Sequence, residues 1–303
     1  MAETDIILKD YMDLEKYADA INAIVFNGKQ VVRPDKLVPI DIETQYVNKD
    51  IVTGQIHTDT RFRDKVRLAE VEDAVYCIFG IENQSTREYD MPLRVMEYEV
   101  REYLRQFKES GGKKDFKLKP VITIVMYWKP DEWKEPVTVK GLMHPEYLNW
   151  INNNGLSDYL QDYKMHLFTP YGVDKSELSR FRTELGSIIA YIKYSNNKDE
   201  LRDYINNTSM QLTSKGTDLI NVLTNSKLKY NEGQEMVDVC KAIDDMLTDS
   251  RDKGYKAGEY NSWVTAAKNM ESKGMNSAEI VSILGISEVT LAEAYEFVLK
   301  NKN

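Results

Sequence analysis

Apolar positions along the chain change their period several times, and each change marks an element. From Ile6 to Phe26 the residues Leu8, Tyr11, Leu14, Tyr17, Ala18, Ile21 and Ile24 recur at helical spacing, and Asn27-Gly28 ends the pattern. Gln30 to Asp41 holds Pro34 and Pro39 and reads as an extended connector, and Thr53 to Thr60 as a polar, turn-rich stretch. Arg63 to Leu68 then alternates like a strand. Ala74 to Glu82 (AVYCIFGIE) is almost continuously apolar and rich in β-formers, the pattern of a central strand buried on both faces. Met91 to Phe107 returns to helical spacing, with Pro92 suited to a first helical turn. Val121 to Trp128 (VITIVMYW) predicts a second buried strand, and Asp162 to Pro170 a further one. Beyond that the chain reads as helical: 175–194, 198–208, 232–250 and 255–273, then two short capped helices around Gly285. Ser277 and Ser287 are the expected caps. The pattern gives an α/β fold with a mixed sheet flanked by helices and a C-terminal helical region. The expected domains are 1–195 and 196–303.

Composition narrows the classes. The 303 residues carry 40 Lys+Arg against 49 Asp+Glu, a net charge of −9, which excludes nucleic-acid binding through bulk positive charge. Local basic surfaces and metal-bridged phosphate contacts stay open. Two cysteines, Cys77 and Cys240, both in apolar runs, cannot build a disulfide framework and fit a reducing cytoplasm. The first residues show no basic segment leading into an apolar stretch, so no signal peptide is expected, and no apolar run approaches ~18 residues, so no membrane span is expected.

Chemistry concentrates between Asp64 and Arg94. The apolar strand runs directly into Glu82-Asn83-Gln84-Ser85. Period-2 alternation puts Glu82 and Gln84 on one face, where burial gives polar residues no packing reason to stand. Asp64 lies on the preceding strand, close enough in sequence for a hairpin to bring it beside Glu82. Two carboxylates held together at a sheet end repel unless a cation neutralises them. Oxygen ligands of this kind suit Mg²⁺, or Mn²⁺ as its substitute. A solvated pair of strand-end acids is the bland alternative.

Other constellations are weaker. His57, His144 and His166 share no zinc-ligand spacing. Ser85 has no histidine near it in sequence, and Gly111-Gly112-Lys113-Lys114 lacks the spacing of a phosphate-binding loop. Tyr127, Trp128 and Trp133 are expected to pack rather than to stack on bases. The tail has a helix-turn-helix outline, but Glu288, Glu293 and Glu296 stand on its second helix where a groove reader would need Arg, Gln or Asn. A role in protein contacts or as a structural cap is favoured there, with Lys256, Lys268 and Lys273 as a modest basic patch.

Asp64, Ile81-Glu82-Asn83-Gln84-Ser85 and Met91-Pro92-Leu93-Arg94-Val95-Met96-Glu97-Tyr98 together resemble the Rpn family, the bacterial recombination-promoting nucleases and transposase-like proteins of the PD-(D/E)XK nuclease superfamily. Leu14 to Val32, Pro120 to Trp128, Tyr163 to Phe168 and Met275 to Leu291 extend the resemblance over most of the chain. It implies a restriction-endonuclease-like core over 1–195, followed by a helical region over 196–303 with a helix-turn-helix-like tail. It also implies a cytoplasmic, Mg²⁺-dependent DNA endonuclease linked to recombination or mobile elements. In that reading Asp64 and Glu82 bind metal, and Glu15 on the first helix is a further metal-shell candidate. Gln84 stands where the wider superfamily has a lysine and positions the water without supplying charge. Arg94 contacts phosphate. DNA is the expected partner, no membrane is, and the C-terminal helices are a candidate homodimer contact. The rival reading is a catalytically silent nuclease scaffold that binds DNA or protein as a regulator. The net charge and acidic tail favour the rival, and the retained Asp64, Glu82 and Gln84 favour the enzyme.

Overall fold

The computed structural model describes residues 3–40, 43–49, 56–62, 65–72 and 75–300; within these, residues 3, 5, 43–49, 56–62, 65, 246, 249, 250, 252 and 253 are described by backbone alone. Two compact units follow one another, Met1–Val239 and Cys240–Asn303.

The first unit opens with two helices where the sequence pattern suggests one. Helix α1 (Glu3–Tyr11) stops before Asp13, which caps α2 (Leu14–Ile24) by accepting the Lys16 backbone N–H at 2.9 Å. After α2 the chain turns at Gly28, whose φ of +86° strains any L side chain and where an added Cβ would sit a tight 3.1 Å from Arg180 Cβ. Buried Asn22 fixes this turn, accepting from Val31 N and Val32 N and donating to Val32 O.

The strands follow. β1 (Val38–Pro39) is short, and β2 (Glu43–Lys49) pairs antiparallel with β3 (Ile56–Phe62) as a separate two-stranded ribbon. β4 (Lys65–Glu72) and β5 (Val75–Gln84) form an antiparallel pair running from Lys65↔Ile81 to Glu72↔Val75. Helix α3 (Met91–Glu109) crosses back to β6 (Val121–Tyr127), which lies parallel to β5 from Ile78↔Val121 to Gln84↔Tyr127. After α4 (Pro145–Asn153), β7 (His166–Phe168) adds parallel to β6. The five-stranded sheet therefore has the order β1-β4-β5-β6-β7, antiparallel on one side of β5 and parallel on the other. This is the mixed α/β sheet that the apolar runs predict.

Each face of β5 has its own cover. Ile78 packs with Val66 and Val121 against Tyr103 of α3, and Val125 packs with Met91 and Val95 at the start of α3. On the other face Phe79 meets the Phe26 ring edge-on, and its carbonyl accepts the Tyr17 hydroxyl of α2 at 2.6 Å. Alternation then puts Glu82 and Gln84 on the α3 face with Ile78, and Asn83 on the face of Phe79.

The remainder of the unit is α5 (Lys175–Leu178), α6 (Leu185–Tyr194), α7 (Lys198–Thr208), β8 (Gln211–Thr213), α8 (Ser214–Thr224) and β9 (Met236–Asp238). The boundary expected near 196 falls inside this unit, between α6 and α7. Two carboxylates, buried Asp19 and half-buried Glu184, tie these segments together. Asp19 of α2 accepts Arg182 N, Thr183 N and Thr183 Oγ1 at 2.7–2.8 Å. Glu184 accepts Thr213 N at 2.7 Å and its hydroxyl at 2.8 Å, at the start of α8.

The second unit holds most of one long helix, α9 (Val239–Glu271), and then α10 (Ser277–Leu284) and α11 (Glu288–Lys300). The expected break near 250 does not occur. The cap of α10 is Asn276, reciprocated by Glu279, rather than Ser277. Ser287 does cap α11 through Thr290 N, and Gly285 supplies the left-handed turn between the two helices. Tyr260, Val264, Ala294 and Val298 form one core here, and Ala267, Ile280 and Leu291 another. Among the described residues, no helix is long and apolar enough to cross a membrane.

Candidate active site

The C-terminal ends of parallel strands β5 and β6 open beside the N-terminal turn of α3, the position where open α/β sheets bind ligands. Glu82 and Gln84 stand there, 3% and 6% exposed. Burial of a carboxylate is unfavourable without a counter-charge. Arg94, one turn into α3, supplies it: its Nη2 donates to Glu82 Oε1 at 3.2 Å. The same guanidinium donates through Nη1 to Glu88 and lies 3.5 Å from the Tyr98 hydroxyl, one helical turn further on. Arg94 is thereby fixed between two acids and a tyrosine, with its fork aimed at the strand end.

Gln84 shares this face. The residue is almost wholly buried, and among the described residues its side-chain amide is not one of the fully enclosed polar groups that lack a partner. Its backbone carbonyl accepts Trp128 N at 2.9 Å, which holds the two strand ends in register. Asn83, on the other face, accepts the indole N–H of Trp128 at 2.9 Å and serves the sheet rather than the crevice.

The wall beside Gln84 is aromatic and charged. Tyr127, its partner in register, meets Trp133 edge-on at 5.1 Å and donates to Asp131 Oδ1 at 3.2 Å. Burial raises the Tyr127 pKa, and the nearby Arg87 opposes that shift. Arg87 donates to Asp131 and lies 5.9 Å from the Tyr127 ring centre. Tyr127, Trp128 and Trp133 are all buried, in keeping with a packing role.

The structure thus brings Glu82 and Arg94 into contact and sets Gln84 on the same face. Glu15 stands exposed in the first turn of α2 and takes no part in the Arg94 contacts. Asp64 lies outside the described residues; the described β4–β5 ladder begins at Lys65↔Ile81. Among the described residues no group of three or more His, Cys, Asp or Glu side chains is placed to hold a metal ion. The sequence reading missed Glu88, Tyr98, Arg87 and Asp131. Tyr98 had a signal, since it lies four residues after Arg94 on one helix face; Asp131, on a loop after β6, had none.

Comparison with known proteins bears on this strand end. The family model described as "Putative transposase, YhgA-like" matches residues 29–219. The chain belongs to that family. The match takes in the whole five-stranded sheet, α3 and the Glu82, Glu88, Arg94 and Tyr98 contacts described above, and it accords with the resemblance carried by the IENQS and MPLR segments. No curated protein and no solved structure matches the chain.

Proposed function

We propose that the protein is a Mg²⁺-dependent DNA endonuclease that cuts phosphodiester bonds in the service of recombination or mobile-element movement. The observation that carries this reading is a buried acid, Glu82, and a glutamine, Gln84, on one face of a strand end that also receives an arginine. Membership of a transposase family supplies the DNA context.

The donor set fits a hard cation. Glu82 offers carboxylate oxygen and Gln84 amide oxygen, and Mg²⁺ takes one or two protein carboxylates while keeping several waters. Glu82 already needs a positive charge beside it, here supplied by Arg94. Asp64, next to Lys65 in sequence, is the proposed second acid. When bound, the ion would polarise a phosphoryl oxygen and acidify a water.

The chain's own groups do the rest. The Gln84 amide orients the attacking water by hydrogen bonding. Arg94, steadied by Glu88 and Tyr98, turns its fork from Glu82 to a phosphate oxygen, a charge-assisted contact. With no lysine at position 84, the stabilisation of transition-state charge falls to Arg94 and the ion. One observation favours a silent, binding role instead: the ion pair with Arg94 occupies Glu82.

Plasmid cleavage decides between the two. The full chain should nick or linearise supercoiled DNA with Mg²⁺ or Mn²⁺ and not with EDTA. Asp64→Ala and Glu82→Ala should each lose at least ~100-fold of this activity, as expected for groups that act only through the ion. No cleavage with either metal would replace the enzyme by the silent scaffold. Unchanged nicking by Asp64→Ala would remove Asp64 from the site.

A further inference from the structure

A cavity of about 490 Å³ opens between the β1–β4 edge of the sheet and the C-terminal end of α3. It lies at the other end of the sheet from Glu82 and Arg94. Its lining residue Ile78 pairs with Val121 at the start of β6, six residues or about 20 Å along β5 from the Gln84↔Tyr127 end. The volume is within the range of small-molecule sites, which are mostly apolar with a few convergent polar groups. The lining follows that division. Ile78 is buried, Ile40 and Leu68 pack against its cluster, and Phe116 completes the apolar part.

The neutral polar groups of the lining are already engaged. Gln106, 4% exposed, accepts Lys119 N at 2.7 Å and donates to Lys119 O at 3.2 Å. Ser110 donates its hydroxyl to Phe107 O and accepts Gly112 N. The cations are not all engaged. Lys119 is half-buried and its backbone is pinned by Gln106, yet among the described residues its ammonium has no acidic partner. Arg105 is clamped through Nε and Nη2 to Glu102, whose side chain is wholly buried, and through Nη1 to Glu109. Those bonds use three of the five N–H groups of a guanidinium and leave two.

The surrounding charge has one sign. Residues 105–119 hold Arg105 and five lysines against Glu109 and Asp115, a balance of +4 in a chain of net charge −9. Among the described residues Lys108, Lys113, Lys114 and Lys117 also lack an acidic partner. Such a cluster raises the local concentration of anions at the mouth. A half-buried ammonium is unfavourable without a counter-charge, and an anion would supply one. An inorganic anion alone would leave the apolar lining uncovered, and a neutral apolar molecule would leave Lys119 unpaired.

We propose that this cavity binds a small organic anion with an apolar body. Its anionic head meets the Lys119 ammonium and the remaining N–H groups of Arg105, and its body lies on Ile40, Leu68, Ile78 and Phe116. The proposal is independent of the nuclease reading.

Two fluorescent probes that differ by one charge test it on the full chain: 8-anilinonaphthalene-1-sulfonate and its uncharged counterpart N-phenyl-1-naphthylamine. The sulfonate should bind at one saturable site with a dissociation constant of ~100 µM or tighter, and the neutral probe at least tenfold more weakly. Lys119→Met keeps the stem and the backbone bonds to Gln106. It should weaken the sulfonate at least tenfold and the neutral probe less than twofold, a split that a merely structural role would not produce. Val38→Trp, at a lining position that is 54% exposed, should fill the mouth and weaken both probes. Far-UV circular dichroism and the thermal midpoint report whether each variant is folded; if Val38→Trp is not, Lys119→Met decides alone. Absence of saturable binding, equal affinity for the two probes, or unchanged sulfonate affinity in Lys119→Met overturns the proposal. Binding that survives in folded Val38→Trp overturns it in favour of another surface.

Discussion

Replacing Arg94 by methionine keeps the stem of the side chain and removes its charge, leaving the Glu82 carboxylate buried beside an apolar group. The Glu82 side chain is 4% exposed, and the Nη2–Oε1 distance is 3.2 Å. At an effective dielectric of ~20 such a pair attracts by about 5 kcal/mol. Part of this is offset because methionine needs no dehydration, so Arg94→Met should destabilise the first unit by roughly 3 kcal/mol. With a urea m-value of about 2–3 kcal/mol/M, the midpoint moves down by about 1 M or more. Glu82→Gln should cost less, about 1 kcal/mol, because it removes the buried charge itself and Arg94 keeps Glu88. The double variant should then cost about 2 kcal/mol less than the sum of the singles. Urea unfolding in EDTA, followed by tryptophan fluorescence, measures all four proteins. Mg²⁺ at ten times its dissociation constant should return about 1.4 kcal/mol to Arg94→Met and nothing to the double variant. An Arg94→Met protein within 0.5 kcal/mol of wild type, or a cycle that closes additively, would refute the claim that Glu82 requires a cation.

Other expectations follow from single contacts. Asp19→Ala removes the acceptor of three hydrogen bonds from Arg182 and Thr183 and should cost about 3–4 kcal/mol in urea, with Asp19→Asn intermediate; a loss below 1 kcal/mol would mean the clamp is not needed. Burial pushes the Asp13 carboxyl up, but its hydrogen bonds from the Lys16 side chain and backbone outweigh this and hold it below the usual aspartate range. Its cap on α2 should therefore stabilise fully above the ordinary aspartate pKa and fade as pH falls through the lowered one. Asp13→Ala should lose about 1 kcal/mol at pH 7, and the difference from wild type should vanish in acid titration; a constant difference down to pH 2 contradicts this. Burial raises the Cys77 thiol to about 11, so at pH 8 it should react with a disulfide reagent far more slowly than Cys240, and equal rates would show that the β5 core opens readily.

The sequence made the buried strands and α3 legible because burial on both faces writes a continuous apolar run. Val75–Gln84, Val121–Tyr127 and Met91–Glu109 all lie close to their expected limits. What it hid was set by local polar contacts rather than by burial. The break between α1 and α2 depends on the Asp13 cap. Helix α8, absent from the sequence reading, begins where Thr213 bonds to Glu184, 29 residues away in sequence. The β2–β3 ribbon joins polar sequences through its backbone ladder and carries no alternating apolar signal. Helix α9 contains Gly254 and Gly258, and from Thr248 to Lys256 Tyr255 is its only apolar residue, so its period lapses in the middle and does not read as one element. At the site, Glu82, Gln84 and Arg94 were legible because polar residues ended an apolar strand and a helix followed at once. The tie of Arg94 to Glu88, and of Arg87 to Asp131, depends on loop paths that periodicity does not encode.

Binding of Mn²⁺ to the full chain, followed by electron paramagnetic resonance, tests the strand-end site most directly, since it needs neither DNA nor turnover. The wild type should take up one ion, Glu82→Gln and Asp64→Asn should each weaken it at least tenfold, and Gln84→Ala should weaken it less. Uptake that is absent from the wild type, or equal in Glu82→Gln, would contradict the account.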